Sequence, residues 1–246
     1  MFSPVLYILV FVIAIVYSSA GFGGASGYLL AMSFFDIPIY VMSSTALVLN
    51  MVVATISFVN YVHSGHFRSR LLFPFLLASV PAAFVGGYIQ ISQEIYMMLL
   101  YGVLTYLAVR MILFPTLSGT KDWQPRSLPL WLALLSGAII GLLSGMVGIG
   151  GGILLSPLII LARWGTSKEA ATSAAGFIAL NSMSGLTARL VKGTLMVEPF
   201  SIWLVMIGIA GAVIGGQVGA IRLSNAGVRR VLGIILAIAV GAYWLQ

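Results

Sequence analysis

Two glycine clusters carry the chemistry this chain could perform. The stretch GMVGIGGGILLSP at residues 145–157 puts five glycines into its first eight positions, and AGFGGASG at residues 20–27 is a shorter version of it. Bare backbone can approach an anion closely. A helix starting just after such a cluster offers up to about four free N–H groups and a positive dipole end. Neither cluster is a nucleotide fingerprint, because no strand pattern precedes the longer one and no Lys-Ser or Lys-Thr follows it. Other reactive residue types are sparse. The absence of cysteine rules out a disulfide framework, thiol catalysis and thiolate metal sites. The two histidines, His63 and His66, lie beside Arg68 and Arg70 and read as a solvated loop rather than a metal centre. The five acidic residues, Asp36, Glu94, Asp122, Glu169 and Glu198, fall at the ends of apolar stretches or between them, so no buried carboxylate pair or proton relay is in place. An enzyme is not expected, nor a metal or cofactor.

The elements that must position these clusters are membrane-embedded. The chain is 61% hydrophobic and 7% charged, with a mean hydropathy of +1.12, where soluble domains carry about 25% charged residues. It divides into ten apolar stretches at 3–20, 23–35, 41–62, 71–89, 95–114, 129–147, 149–162, 170–190, 200–218 and 228–245. Most approach the ~20 residues that span a core of about 30 Å, but the second and seventh are too short to cross it. The first lacks the basic start of a signal peptide and has a counterpart in mid-chain, so it reads as structure.

That counterpart emerges at an offset of 127 residues, the step from Gly21 to Gly148, which also places Gly23 on Gly150, Gly24 on Gly151 and Thr45 on Thr172. One or two residues later in register, HSGHF at 63–67 falls on VKGTL at 191–195, and FVGGY at 84–88 on VIGGQ at 213–217. The reading is a duplicated, all-α integral membrane protein: a first repeat at 1–114, a polar cytoplasmic linker at 115–128 and a second repeat at 129–246. With the loop at 63–70 inside, ten of the twelve basic residues lie on the cytoplasmic side and only Arg189 and Lys192 outside. Each half then crosses an odd number of times, so the second is inverted relative to the first. Basic loops facing anionic lipid account for the net charge of +7 without nucleic acid.

An inverted repeat with short, glycine-broken stretches at matching positions is the pattern of a secondary transporter whose site lies near the midplane. Backbone at that depth can leave helical form only where it is buried in protein or lines a wet cavity. Gly21, Gly23 and Gly24, with Gly148, Gly150, Gly151 and Gly152, are therefore candidate anion-binding positions. Close helix packing is the competing account and is preferred for the pairs Gly86-Gly87 and Gly215-Gly216. Thr45, Thr172, Ser173 and Asn181 are candidates to complete the site. Asn50 ranks below them, as do Ser26, Ser144 and Ser156 beside the breaks. Each of these side chains could instead bond its own helix or bridge two helices.

The G-x-G-G-G run leading to Pro157, the ATS at 171–173 and the weaker first-half copy resemble the sulfite exporter TauE/SafE family of membrane permeases, over nearly the whole chain. The first half departs from the pattern, with Ala25 in place of the third glycine and SST at 43–45. The resemblance implies movement of small sulfur-containing anions such as sulfite, sulfonates or thiosulfate. The expected function is export by alternating access from a bacterial inner membrane, with an anion channel as the alternative. An inside-negative potential of about 100 mV favours expulsion of a monoanion by about 2.3 kcal/mol. The expected partners are the anion and the lipid bilayer, with homo-oligomerisation left open.

Overall fold

The computed structural model describes residues 4–35, 37–89 and 125–228, with residues 230, 231, 234 and 241 beyond them. The fifth stretch, most of the linker and most of the tenth stretch lie outside the described residues. Eight α-helices are described: α1 (Pro4–Ser19), α2 (Ala25–Ser33), α3 (Ile39–His63), α4 (Ser69–Tyr88), α5 (Leu130–Val147), α6 (Gly152–Leu161), α7 (Ser167–Lys192) and α8 (Pro199–Gln217), which continues into a π-helical turn at Val218–Arg222. No strand occurs among the described residues. Among the described residues, three segments are long and apolar enough to cross a membrane: Val41–His63, Ser69–Tyr88 and Pro199–Arg222.

Helix surfaces show what solvent they face. On α1, Leu6, Val10 and Ala14 are fully buried, whereas Val5, Ile8, Val12 and Val16 are exposed. Both faces are apolar. A helix that is hydrophobic all round belongs in a large core or a bilayer, and exposed Leu77 on α4, Trp131 and Leu135 on α5, and Trp203 and Met206 on α8 extend the same outer surface. Helix α7 inverts the pattern. It is rich in Ser, Thr, Asn and Ala, yet Thr172, Ser173, Asn181, Ser182 and Ser184 are all buried in it. The polar helix is the inner one. A capping box fixes its start, with Thr166 Oγ1 accepting from the Glu169 backbone N–H and the Glu169 carboxylate accepting from the Thr166 N–H.

Glycine spacing explains how the outer helices approach. On α5, Gly137, Gly141 and Gly145 sit against the backbone of Phe75, Ser79 and Ala83 on α4. On α8 and its π turn, Gly211, Gly215 and Gly219 sit against the backbone of Phe11, Ile15 and Ser19 on α1. A small residue every fourth position is the contact pattern of close helix pairs in membranes. Gly86 likewise meets the Leu142 carbonyl, Gly87 meets Ala188 and Gly216 meets the Asn60 amide, so these glycine pairs do serve packing. Gly141→Leu is accordingly expected to push α4 and α5 apart at a cost of about 1–3 kcal/mol. A thermal melt of the detergent-purified variant several degrees below that of the parent protein is the check.

Helices α3 and α7 run antiparallel. Arg189 near the end of α7 donates to Ser43 Oγ near the start of α3, and Asn50 further along α3 donates to Ser182 Oγ further back along α7. At the opposite end, the π turn frees the Ala220 carbonyl, which accepts from Lys168 Nζ at 2.8 Å and stands 3.2 Å from the His66 ring nitrogen Nε2. Burial and the nearby Lys168 charge hold His66 below the usual histidine range.

Candidate functional site

Both glycine clusters interrupt the helical path. The first break follows α1, with Gly21 and Gly24 at φ +80 and +93, and the second follows α5, with Gly148, Gly150 and Gly151 at φ +79, +77 and +68. These left-handed turns are open to glycine at little cost, and each sets the start of a short helix inside the protein. Helix α2 has nine residues and α6 ten, a rise of about 13–15 Å, or half the hydrocarbon thickness. Their N-caps, Gly24 and Gly151, supply no capping side chain. Among the described residues, the N–H groups of Gly152 and Ile153 have no acceptor.

One side chain joins the two breaks. Asn50 of α3, 1% exposed, accepts from the Ala25 N–H at the first residue of α2 (3.2 Å). Its amide nitrogen donates to the Ile149 carbonyl inside the second break (3.2 Å) and to Ser182 Oγ of α7 (3.0 Å). The fit is close enough that a Cβ on Gly23 would fall on Asn50 Oδ1 and one on Gly150 on Asn50 Nδ2. The other glycines line neighbouring walls. Gly21 abuts the Ala171 carbonyl of α7, Gly152 abuts Ile178, and Gly151 faces Ile140, Phe177 and Ser144.

The hydroxyl candidates are distributed differently. Thr45 Oγ1 shares a 2.7 Å hydrogen bond with Ser201 Oγ at the start of α8. Thr172 Oγ1 donates back to the Lys168 carbonyl at 2.8 Å. The antiparallel pairing of Ser43 with Arg189 and of Asn50 with Ser182 places the two threonines on opposite sides of Asn50, about 20 Å apart along the helix axes. One small oxyanion cannot touch both. Ser173 is buried in the same region of α7 as Thr172. Asn181 lies one turn after Phe177, 1% exposed, and neither of its amide atoms has a partner among the described residues. Ser144 Oγ, behind Gly151, is likewise buried and unpartnered. Ser26 is held by Tyr17 at 3.1 Å.

Asn50, which the sequence ranks below the threonines, is the residue that joins the two breaks. It has no counterpart in the second half, where the repeat offset lands on Phe177, and only the crossing of α3 with both breaks reveals it. Neither histidine lies at the glycine breaks. His63 is exposed, His66 faces the π turn, and no group of three metal-binding side chains occurs among the described residues.

Comparison with known proteins gives the chain's family. A family model described as Sulfite exporter TauE/SafE matches residues 6–243. The chain is 32% identical over 235 residues to the probable membrane transporter protein y4hK of Sinorhizobium fredii, covering 95% of each protein. It is 26% identical over 202 residues to the probable membrane transporter protein MJ0441 of Methanocaldococcus jannaschii, covering 78% of this chain and 73% of the relative. No solved structure matches.

Proposed function

Because the chain belongs to the sulfite exporter TauE/SafE family and is an integral membrane transporter, we propose that it exports small sulfur-containing oxyanions across a bacterial inner membrane by alternating access. The observation that carries this reading is the convergence of the α2 and α6 starts on Asn50, whose Oδ1 holds the first N–H of α2 while, among the described residues, the N–H groups of Gly152 and Ile153 on α6 have no acceptor. Orphan N–H groups and two positive dipole ends suit an anion and repel a cation. Asn181 and Ser144, buried without partners among the described residues, add polar capacity, Ser144 directly behind Gly151. Ser173 and Thr172 line the approach on one side of Asn50 and Thr45 that on the other.

Alternating access draws support from the packing. Helices recur in the same order in the two halves, and their partners exchange: α1 lies along α8 as α5 lies along α4, while α3 and α7 pack on each other. Two inverted halves related in this way could rock about the Asn50 crossing. The test is efflux of radiolabelled sulfite, thiosulfate or taurine from proteoliposomes under an imposed inside-negative potential. Saturable efflux of any one supports the proposal. Silence with all three would end it, and non-saturating flux with unitary conductance would make the protein a channel.

Orientation gives a further expectation. The cysteine-free chain allows clean single-site labelling. Val197→Cys in the exposed segment after α7 should react with an impermeant maleimide in intact cells, and Ser69→Cys at the start of α4 should react only after lysis. The opposite result would invert the topology.

A further inference from the structure

Arg189 carries a charge that the site described so far does not use. It lies on α7 one turn before the C-cap Gly193, partly exposed, within a helix whose buried residues are all uncharged. Its guanidinium donates to Ser43 Oγ of α3. A Cβ on Gly148 would stand 3.1 Å from Nη2, so the other edge of the fork faces the turn that opens the second glycine break. Among the described residues it has no carboxylate partner, the one ion pair being Arg68 with Glu169 at the other end of the protein. A cation drawn partly out of water is costly and pairs with something. A helix-capping role would require hydrogen bonds to the last carbonyls of α5, and none is made: the Ser144 carbonyl accepts from Gly148 N–H instead.

Position supplies the rest. Arg189 stands between the Gly148 turn and the segment at 194–198, whose Met196 N–H is held by Ser44, the neighbour of Ser43. Ser43 precedes Asn50 by about 10 Å along α3, so the guanidinium stands on that side of the helix starts. Resting on the transport reading above, we infer that Arg189 is the charge-selective contact for the transported oxyanion on the outer side of the site, one edge of its planar fork fixed by Ser43 and the other presented to the anion. Ser43 is then a positioning residue. Lys192, one turn on, donates to the Tyr88 carbonyl at 3.1 Å and takes no part.

The experiment is concentration-dependent flux of radiolabelled sulfite in proteoliposomes for wild type, Arg189→Gln, Arg189→Lys, Ser43→Ala and Lys192→Gln, with a thermal melt of each. Loss of a charge-assisted bond to the ligand should raise KM about tenfold or more in Arg189→Gln. Arg189→Lys, which keeps the charge and loses the fork, should fall between it and wild type. Ser43→Ala should raise KM a few fold, and Lys192→Gln should match wild type. Guanidinium ion added to Arg189→Gln should restore part of the affinity, which a purely structural role would not produce. Unchanged KM in Arg189→Gln, whether or not its melting temperature falls, overturns the inference and leaves the transport reading standing, as does an equal rise in Lys192→Gln. If Arg189→Gln fails to fold, an unchanged KM in both Arg189→Lys and Ser43→Ala overturns it. Absence of flux for sulfite, thiosulfate and taurine in wild type removes both.

Discussion

Asn50→Asp is expected to lower anion flux at least a hundredfold while leaving a folded, extractable protein. The substitution is nearly isosteric, and a carboxylate can still accept from the Ala25 N–H as Asn50 Oδ1 does. What changes is the sign of the group where α2 and α6 begin. A negative charge about 5 Å from a bound anion costs about 3 kcal/mol at an effective dielectric of about 20, which is more than a hundredfold in occupancy. The lost amide donor also leaves the Ile149 carbonyl without its partner. Lowering the pH should restore part of the flux, because the neutral acid again offers one donor and one acceptor. Thiosulfate efflux from proteoliposomes across a pH series, with helical content followed by circular dichroism, would decide it. Undiminished flux at neutral pH would place the anion elsewhere.

Asn50 shows what the sequence could and could not convey. Hydropathy located the described helices within a few residues: the stretch at 41–62 became Ile39–His63, and that at 200–218 became Pro199–Gln217. The internal repeat located both breaks, because adjacent glycines in an apolar run conflict with a continuous helix and do so twice at one offset. Pairing between distant segments was not legible. Asn50 bonds residues on either side of it in sequence, Ala25, Ile149 and Ser182, and no periodicity announces such a crossing. The threonines erred the other way. Their equivalence under the repeat suggested a shared ligand, but the antiparallel crossing of α3 and α7 sets them on opposite sides of Asn50, where Thr45 bonds Ser201 and Thr172 bonds the Lys168 carbonyl. Arg189 read only as one of two basic residues on the outer side, at the end of the stretch 170–190, and nothing in the sequence paired it with Ser43. The composition of α7 concealed its place as well, since serine and alanine describe a surface helix in water and an interior one in lipid.

Gly150→Ala and Gly23→Ala should each reduce flux to a tenth or less, and together they separate conformation from space. At Gly23 the backbone is unremarkable and only room is lacking, since the added methyl would overlap both Oδ1 and the backbone carbonyl of Asn50. At Gly150 the methyl meets Asn50 Nδ2 and the residue must also hold φ +77, which costs a non-glycine residue about 1–2 kcal/mol. Adding about 1–3 kcal/mol of overpacking makes Gly150→Ala the less stable of the two. Gly65→Ala supplies the control for conformation alone, because Gly65 has φ +78 with open space around its Cβ position. It should lose only the strain term and transport normally. Flux must be normalised to folded protein, measured by size-exclusion recovery and melting temperature. If the glycines serve packing alone, Gly150→Ala and Gly23→Ala will melt lower yet transport at wild-type rate per folded molecule. If they bring backbone N–H groups to an anion, displacing Asn50 will stop transport even in the fraction that folds, and Gly23→Ala will do so with its backbone conformation intact.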